Sequence, residues 1–166
     1  MKKIWIFLII ILGLACLYGC QDRDNIISLV DSPEGYQKID VIKTQYPNGE
    51  IRNIYKNDNK YVFHIVSHKG YAGDVEIAFL IMDDEIKAMK GYKIKETKGY
   101  GTRAFEENYL NQFIGINLKG KEQLRGGSKP SQDIDIIYVT GATRTSKAVV
   151  IAFNILIEYY NDYLTY

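Results

Sequence analysis

The chain has 166 residues, of which 46% are hydrophobic and 25% charged, with 21 Lys and Arg against 20 Asp and Glu. That composition describes one ordinary globular domain with a short appendage. A net charge of +1 argues against nucleic acid as a partner, because binding a polyanion relies on a strongly basic surface.

The first nineteen residues read as a targeting segment. Lys2 and Lys3 form a positive start and Ile4–Leu14 is apolar. The apolar stretch stops at Cys20, short of the roughly 20 residues of a membrane-spanning helix. It ends in Leu17-Tyr18-Gly19-Cys20, which is similar to a bacterial lipobox, with Leu at −3, Gly at −1 and Cys at +1. The organisation expected is therefore a lipoprotein signal peptide over 1–19, a tether over 20–35 beginning at a lipidated Cys20, and one domain over 36–166. An uncleaved signal anchor is the alternative. Cleavage also removes Cys16, Lys2 and Lys3, leaving 19 basic and 20 acidic residues and no cysteine beyond Cys20. Neither a disulfide nor a metal–thiolate site is then expected. The location implied is the extracytoplasmic face of a cell membrane, held by the lipid anchor. Taken as flexible chain, the fifteen or so residues before Tyr36 have an end-to-end distance of roughly 20 Å.

Beyond the tether the pattern is α+β, a mainly antiparallel sheet with a short helix and a long C-terminal helix packed on it. Lys38–Tyr46 alternates loosely and ends in the turn signal Pro47-Asn48-Gly49. Ile51–Tyr55 and Tyr61–Val66 read as strands separated by an Asn57-Asp58-Asn59 turn. Asp74–Met82, the most apolar run, reads as a central strand, and Glu85–Ile94 returns antiparallel to it across Asp83-Asp84. Phe105, Tyr109, Leu110 and Phe113 stand at helical spacing and predict an amphipathic helix over Thr102–Phe113. The polar, Gly-rich stretch Leu118–Pro130 reads as a loop. Asp133–Val139 is expected as a strand feeding a final helix from about Ser146 to Tyr163, with Val149, Ala152, Phe153, Leu156, Tyr160 and Tyr163 as its core stripe.

Between that strand and helix lies Thr140-Gly141-Ala142-Thr143-Arg144-Thr145-Ser146. A helix start carries unpaired N–H groups and the positive end of a dipole, so it suits a phosphate. Gly141 allows close backbone approach and Ala142 adds no bulk. The hydroxyls can hold a phosphate or be esterified to one, although an ordinary helix cap is the bland reading of the same residues. The segment resembles the flavinylation motif of FMN-binding domains, roughly Asp-x-x-Ser/Thr-Gly-Ala-Thr, found in the G subunit of Rnf electron-transport complexes and in the C subunit of sodium-pumping NADH:quinone oxidoreductase. Thr140 to Thr143 fit all four closing positions, whereas the motif Asp is replaced by Ile137, with Asp135 the nearest acid. Two further segments resemble the same family. Glu96-Thr97-Lys98-Gly99-Tyr100-Gly101 is similar to its Glu-Thr-Pro-Gly-x-Gly loop, with Lys98 in place of Pro, and Lys69-Gly70-Tyr71-Ala72-Gly73 is similar to its Lys-Gly-Tyr-x-Gly turn.

The resemblance implies FMN as cofactor, esterified through its phosphate to Thr143 by a separate flavin transferase. It implies that the backbone of Gly141–Arg144, with the hydroxyls of Thr140, Thr145 and Ser146, surrounds that phosphate. The loop carrying Glu96, Thr97, Gly99, Tyr100 and Gly101 would cover the ring, with Tyr100 in contact and Glu96 and Thr97 bonding the flavin edge or bracing the loop. The protein would be an electron carrier between membrane or extracytoplasmic redox proteins. No Gly-x-Gly-x-x-Gly follows a strand, so a nicotinamide site is not expected. A non-covalent FMN-binding or sensing module and a flavin-free scaffold lipoprotein with a Tyr-rich surface remain open alternatives. His64 and His68 lie on a strand and its following turn, without the partners that complete a metal set.

Overall fold

The structure is a computed structural model that describes Arg23 and residues 25–165. The targeting segment, Cys20 and its expected lipidation lie outside the described residues. Strands β1 (Gln37–Ile39), β2 (Gln45–Tyr46), β3 (Gly49–Asn57), β4 (Lys60–Ser67), β5 (Val75–Met82) and β6 (Glu85–Tyr92) form one sheet. Its order is β1-β3-β4-β5-β6, with β2 also paired to β3, and every pairing is antiparallel. The hairpins close where the turn chemistry requires. Asp83 and Asp84, at φ 56° and 63°, make the two-residue turn between β5 and β6 whose backbone twist suits antiparallel strands. The irregularity in the β6 pattern is a bulge, since Ile81 faces Ile86 while Leu80 faces Ala88.

One face of the sheet carries the main core. The 21-residue helix α2 (Thr143–Tyr163) lies across it. Edge-to-face ring pairs Phe63–Tyr159 at 5.7 Å and Phe79–Phe153 at 5.9 Å join helix to sheet. Phe113 reaches Phe153 at 5.0 Å from the connection beyond β6. Such pairs add about 0.5–1.5 kcal/mol each beyond the area they bury. The Tyr160 hydroxyl donates to Asp84 at 2.5 Å, and the Tyr159 hydroxyl accepts from the Ile42 N–H at 3.3 Å. Tyr159 and Tyr160 are therefore buried core members and contribute nothing to an exposed tyrosine surface.

The opposite face is covered at its centre by the start of the chain. Ile26 and Ile27 are 1% and 0% exposed and pack with Tyr36, Tyr55, Val62, Ala78 and Leu80. Asp31 accepts from the Tyr36 hydroxyl at 2.7 Å and from Lys60 Nζ at 2.8 Å. The stretch expected to be a flexible tether is thus docked from residue 25 onward, because its apolar residues cover sheet positions that would otherwise face water. Beside this patch, Glu76 accepts from Arg52 Nη1 at 2.9 Å and lies 3.0 Å from His64 Nε2. His64 packs edge-on against Tyr92.

Four sequence expectations need correction. Lys38–Tyr46 is not one strand: β1 and β2 flank an irregular stretch over 40–44, whose Thr44 carbonyl still accepts from the Ile51 N–H at 2.8 Å. The helix expected over Thr102–Phe113 is a 3-10 helix (Gly101–Phe105) followed by a single turn, α1 (Glu107–Leu110). Glu106 breaks it with extended backbone, φ −76° and ψ 151°. Asp133–Val139 contributes only the two-residue strand β8 (Ile136–Ile137), paired in parallel with β7 (Gly126–Gly127) inside the supposed loop. Finally, α2 begins at Thr143 rather than near Ser146.

One carboxylate ties together the end of the sheet where β4 and β6 finish and β5 begins. Glu96 is 7% exposed. Its Oε1 accepts from the Tyr71 N–H at 2.7 Å, and Oε2 accepts from the Ala72 N–H at 3.3 Å. The 70–73 turn is thereby latched to the 96–101 loop. Glycine is required on both sides of the latch. A Cβ on Gly70 would stand 2.6 Å from Glu96 Oε1, and one on Gly101 2.5 Å from Oε2.

Glu96→Ala strands the two N–H groups of the latch and should cost about 1–3 kcal/mol, with Glu96→Gln, which keeps an acceptor, milder. Urea titration checks this, and equal stability of all three proteins would refute the latch. Burial pushes the His64 imidazole below its ordinary 6.5, against the opposing pull of Glu76. The unfolded chain then binds that proton more readily than the folded one, so this contribution is present above about pH 6.5 and lost as pH falls below it. His64→Gln should flatten the decline of the urea midpoint between about pH 7 and 5. An unchanged slope in His64→Gln would exclude His64 as its source.

Candidate functional site

Helix α2 starts without a side-chain cap. Its N-cap is Ala142, and the first intrahelical acceptor used is the Ala142 carbonyl, which receives the Ser146 N–H at 2.8 Å. The N–H groups of Thr143, Arg144 and Thr145 are left for another partner, as at any helix start, and the dipole adds positive potential there. Gly141 reaches this geometry at φ 81°, the left-handed conformation that glycine adopts without penalty. Arg103 Nη1 donates to the Thr140 carbonyl at 3.0 Å and fixes the turn from the 3-10 helix.

A cavity of about 420 Å³ opens at this helix start, within the range of small-molecule and cofactor sites. Residues 141–145 form one wall, Thr97, Tyr100 and Gly101 the other, and Tyr71 closes the rim. Thr143 is exposed and lines the cavity. Tyr71 and Tyr100, 67% and 66% exposed, offer two aromatic faces at the mouth. A phosphate has unpaired N–H donors and a hydroxyl, and a planar ring has aromatic neighbours, so the residues present fit FMN.

The residues singled out from the sequence divide into lining and supporting groups. Gly141, Ala142, Thr143, Thr145, Thr97, Tyr100 and Gly101 line the cavity. Ser146 does not: it is fully buried, its Oγ accepts from the Val139 N–H at 3.1 Å, and its carbonyl accepts from the Tyr109 hydroxyl at 2.8 Å. Those bonds tie the helix start to the incoming strand, so its expected contact with the phosphate is corrected to a structural role. Glu96 braces the loop rather than facing the cavity. Gly99, at φ 77°, only turns the loop, its N–H donating to Thr102 Oγ1 at 2.9 Å. Thr140 lies on a shallow neighbouring groove with Gln112 and Ile137. There Gln112 Oε1 accepts the Ile137 N–H at 2.8 Å and its Nε2 donates to the Ile137 carbonyl at 3.1 Å.

Sequence reasoning missed Tyr71 and the Arg144 side chain as lining residues. The signal for Tyr71 was present, an aromatic between glycines in Gly70-Tyr71-Ala72-Gly73, the same pattern that singles out Tyr100. His64 and His68 instead face Glu76 and Asp74, each at 3.0 Å. Among the described residues no cluster of three or more His, Cys, Asp or Glu side chains forms a metal site, and no helix is long and apolar enough to cross a membrane.

Comparison with known proteins agrees with this geometry. Residues 70–158 match the FMN-binding domain family, a span holding the latched loops, the cavity and most of α2. The G subunit of the Na(+)-translocating ferredoxin:NAD(+) oxidoreductase complex from Acetobacterium woodii is 33% identical over 94 residues, 56% of this chain. The match covers 45% of that relative, so the chain spans less than half of its length. The crystal structure of Shewanella oneidensis NqrC shares the fold, with a TM-score of 0.52 at 24% identity over 66% of this chain and 56% of that one. The chain belongs to the FMN-binding domain family, and FMN is its cofactor.

Proposed function

We propose that the protein is a membrane-tethered, exported flavoprotein that carries electrons through an FMN attached covalently to Thr143. The observation that carries this reading is the exposed Thr143 at an uncapped helix start inside a cavity of suitable size. The Acetobacterium woodii relative is named as part of a ferredoxin:NAD(+) oxidoreductase complex, which supports electron transport and membrane redox partners. When bound, FMN supplies reversible electron exchange, and the protein holds it, tunes it and sets access.

Each part of the site then has a task. Thr143 Oγ1 forms the phosphoester. A separate flavin transferase using FAD would make that ester, with AMP as the leaving group and loss of the hydroxyl proton. The N–H groups of residues 143–145 hold the phosphate oxygens, and Thr145 borders them. Arg103 fixes the turn through the Thr140 carbonyl. Tyr71 and Tyr100 flank the ring, and Glu96 keeps their two loops together. In the full chain, residues 1–19 act as a lipoprotein signal peptide and Cys20 carries the anchor.

A second reading, FMN held without a covalent bond, is favoured by Ile137 at the position of the motif Asp. Co-expression with a flavin transferase separates the two. Covalent attachment gives an intact mass higher by one FMN less water and a yellow colour that survives denaturation. Thr143→Ala should abolish both, while Thr145→Ala should retain them. Loss of the flavin in Thr145→Ala alone would overturn the assignment. Ile137→Asp, whose backbone bonds to Gln112 are kept, should raise the flavinylated fraction. An unchanged fraction would show that the transferase reads the present sequence equally well.

A further inference from the structure

Of the five large hydrophobic side chains exposed among the described residues, three gather at one place. Tyr71, Tyr100 and Ile94 are 67%, 66% and 42% exposed, and all three stand on or beside the two loops latched by Glu96. Ile42 and Ile114 lie elsewhere in the chain. Around this apolar group three lysines outnumber one partly exposed acid, Asp74, which lies 3.0 Å from His68 Nδ1. Lys69, Lys95 and Lys98 are exposed and make no ion pair among the described residues. Between residues 93 and 103 the bases are Lys93, Lys95, Lys98 and Arg103, and Glu96 is the single acid. Glu96 is buried, with its carboxylate turned onto the Tyr71 and Ala72 N–H groups.

Elsewhere on the surface the cations divide: Lys38, Lys119, Lys129 and Lys147 are exposed and make no ion pair among the described residues, whereas others are paired. Lys43, Lys60, Lys87, Lys90 and Arg125 each have a carboxylate within 4 Å. In a chain whose net charge is only +1, Lys69, Lys95 and Lys98 on the two latched loops and their flanks make a local positive field. Uncompensated charge around exposed aromatics is the anatomy of a transient protein interface, with an apolar centre and a polar rim. Complementary charge steers such encounters and raises their rate.

We propose that the rim formed by Lys69, Lys95 and Lys98 around Tyr71 and Tyr100 is the docking surface for an acidic redox protein. The proposal rests on the FMN cavity as the site of electron exchange, since a partner seated on this rim stands at its opening. An anionic membrane would match the charge but not the shape. Two tyrosines and one isoleucine on separate loops lack the continuous apolar face that interfacial insertion uses.

The test uses the FMN-loaded protein and three probes: a strongly acidic [2Fe–2S] ferredoxin, a basic cytochrome c, and vesicles containing phosphatidylglycerol. The ferredoxin should bind, and its affinity should fall about tenfold or more from about 20 mM to about 200 mM salt, while cytochrome c should bind at least tenfold more weakly at low salt. Lys69→Glu/Lys95→Glu/Lys98→Glu should reverse the preference between the two proteins with the FMN content unchanged. Should that variant fail to fold, Lys69→Gln/Lys95→Gln/Lys98→Gln should still weaken ferredoxin binding several-fold. Equal affinity for both proteins, ferredoxin binding unaffected by either variant, or binding to the vesicles but not to ferredoxin would each overturn the proposal. A protein that binds ferredoxin through these lysines yet takes up no FMN would instead refute the flavin reading and leave the acidic-protein surface standing.

Discussion

The cavity depends on where the first turn of α2 stands, and that position is set by the packing of the turns behind it. The helix is anchored to the sheet through Phe153, Leu156, Tyr159 and Tyr160, all at most 4% exposed. Over 21 residues it spans about 32 Å at 1.5 Å per residue, so its start is carried to the end of the sheet where the loops after β4 and β6 emerge. The first turn is left without a side-chain cap where neighbouring loops enclose a cavity. A side-chain cap would have stabilised the helix by about 1 kcal/mol. Its absence leaves the N–H groups available.

The opposing wall is held by a different kind of interaction. Glu96 is a buried carboxylate hydrogen-bonded by backbone N–H groups, with no cation paired to it among the described residues. This arrangement keeps Lys95 and Lys98 free of an internal partner. A lysine in the same role would have cancelled the carboxylate but left fewer cations facing solvent. Gly101 follows from the same bond, because the carboxylate occupies the space that its side chain would fill, and a side chain on Gly70 would meet both the Gly73 carbonyl and the carboxylate. Binding, loop geometry and surface charge are thus linked through one residue.

Much of this was legible in the sequence. The strand–turn–helix around Thr140–Thr143 could be read because apolar runs flank it on both sides, and the β5–β6 hairpin because Asp83-Asp84 separates the most apolar run from an alternating one. The rest lacked a local signal. Nothing at Glu106 marks a helix break, since neither Pro nor Gly stands there. The break instead allows Phe105, Tyr109 and Phe113 to reach the core from separate segments. The pairing of Ile136 and Ile137 with two glycines is a non-local contact invisible to periodicity. Ser146 looked like a ligand because its hydroxyl stands in a hydroxyl-rich turn, yet it is fully buried and accepts from the Val139 N–H. Burial is a property of the assembled chain, and it decides which hydroxyls of a motif meet a ligand.

The docked start of the chain changes how the domain is leashed. Ile26 is already immobilised on the sheet, six positions after Cys20 (26 − 20), whereas Tyr36 lies sixteen after it (36 − 20). Fully stretched, six residues reach about 20 Å and sixteen about 55 Å. Under the proposed anchor the domain can pivot above the bilayer but cannot stride away from it. Any partner must come to within a protein's width of the lipid headgroups, and a force drawing on the anchor would be borne by side chains wedged against the back of the sheet.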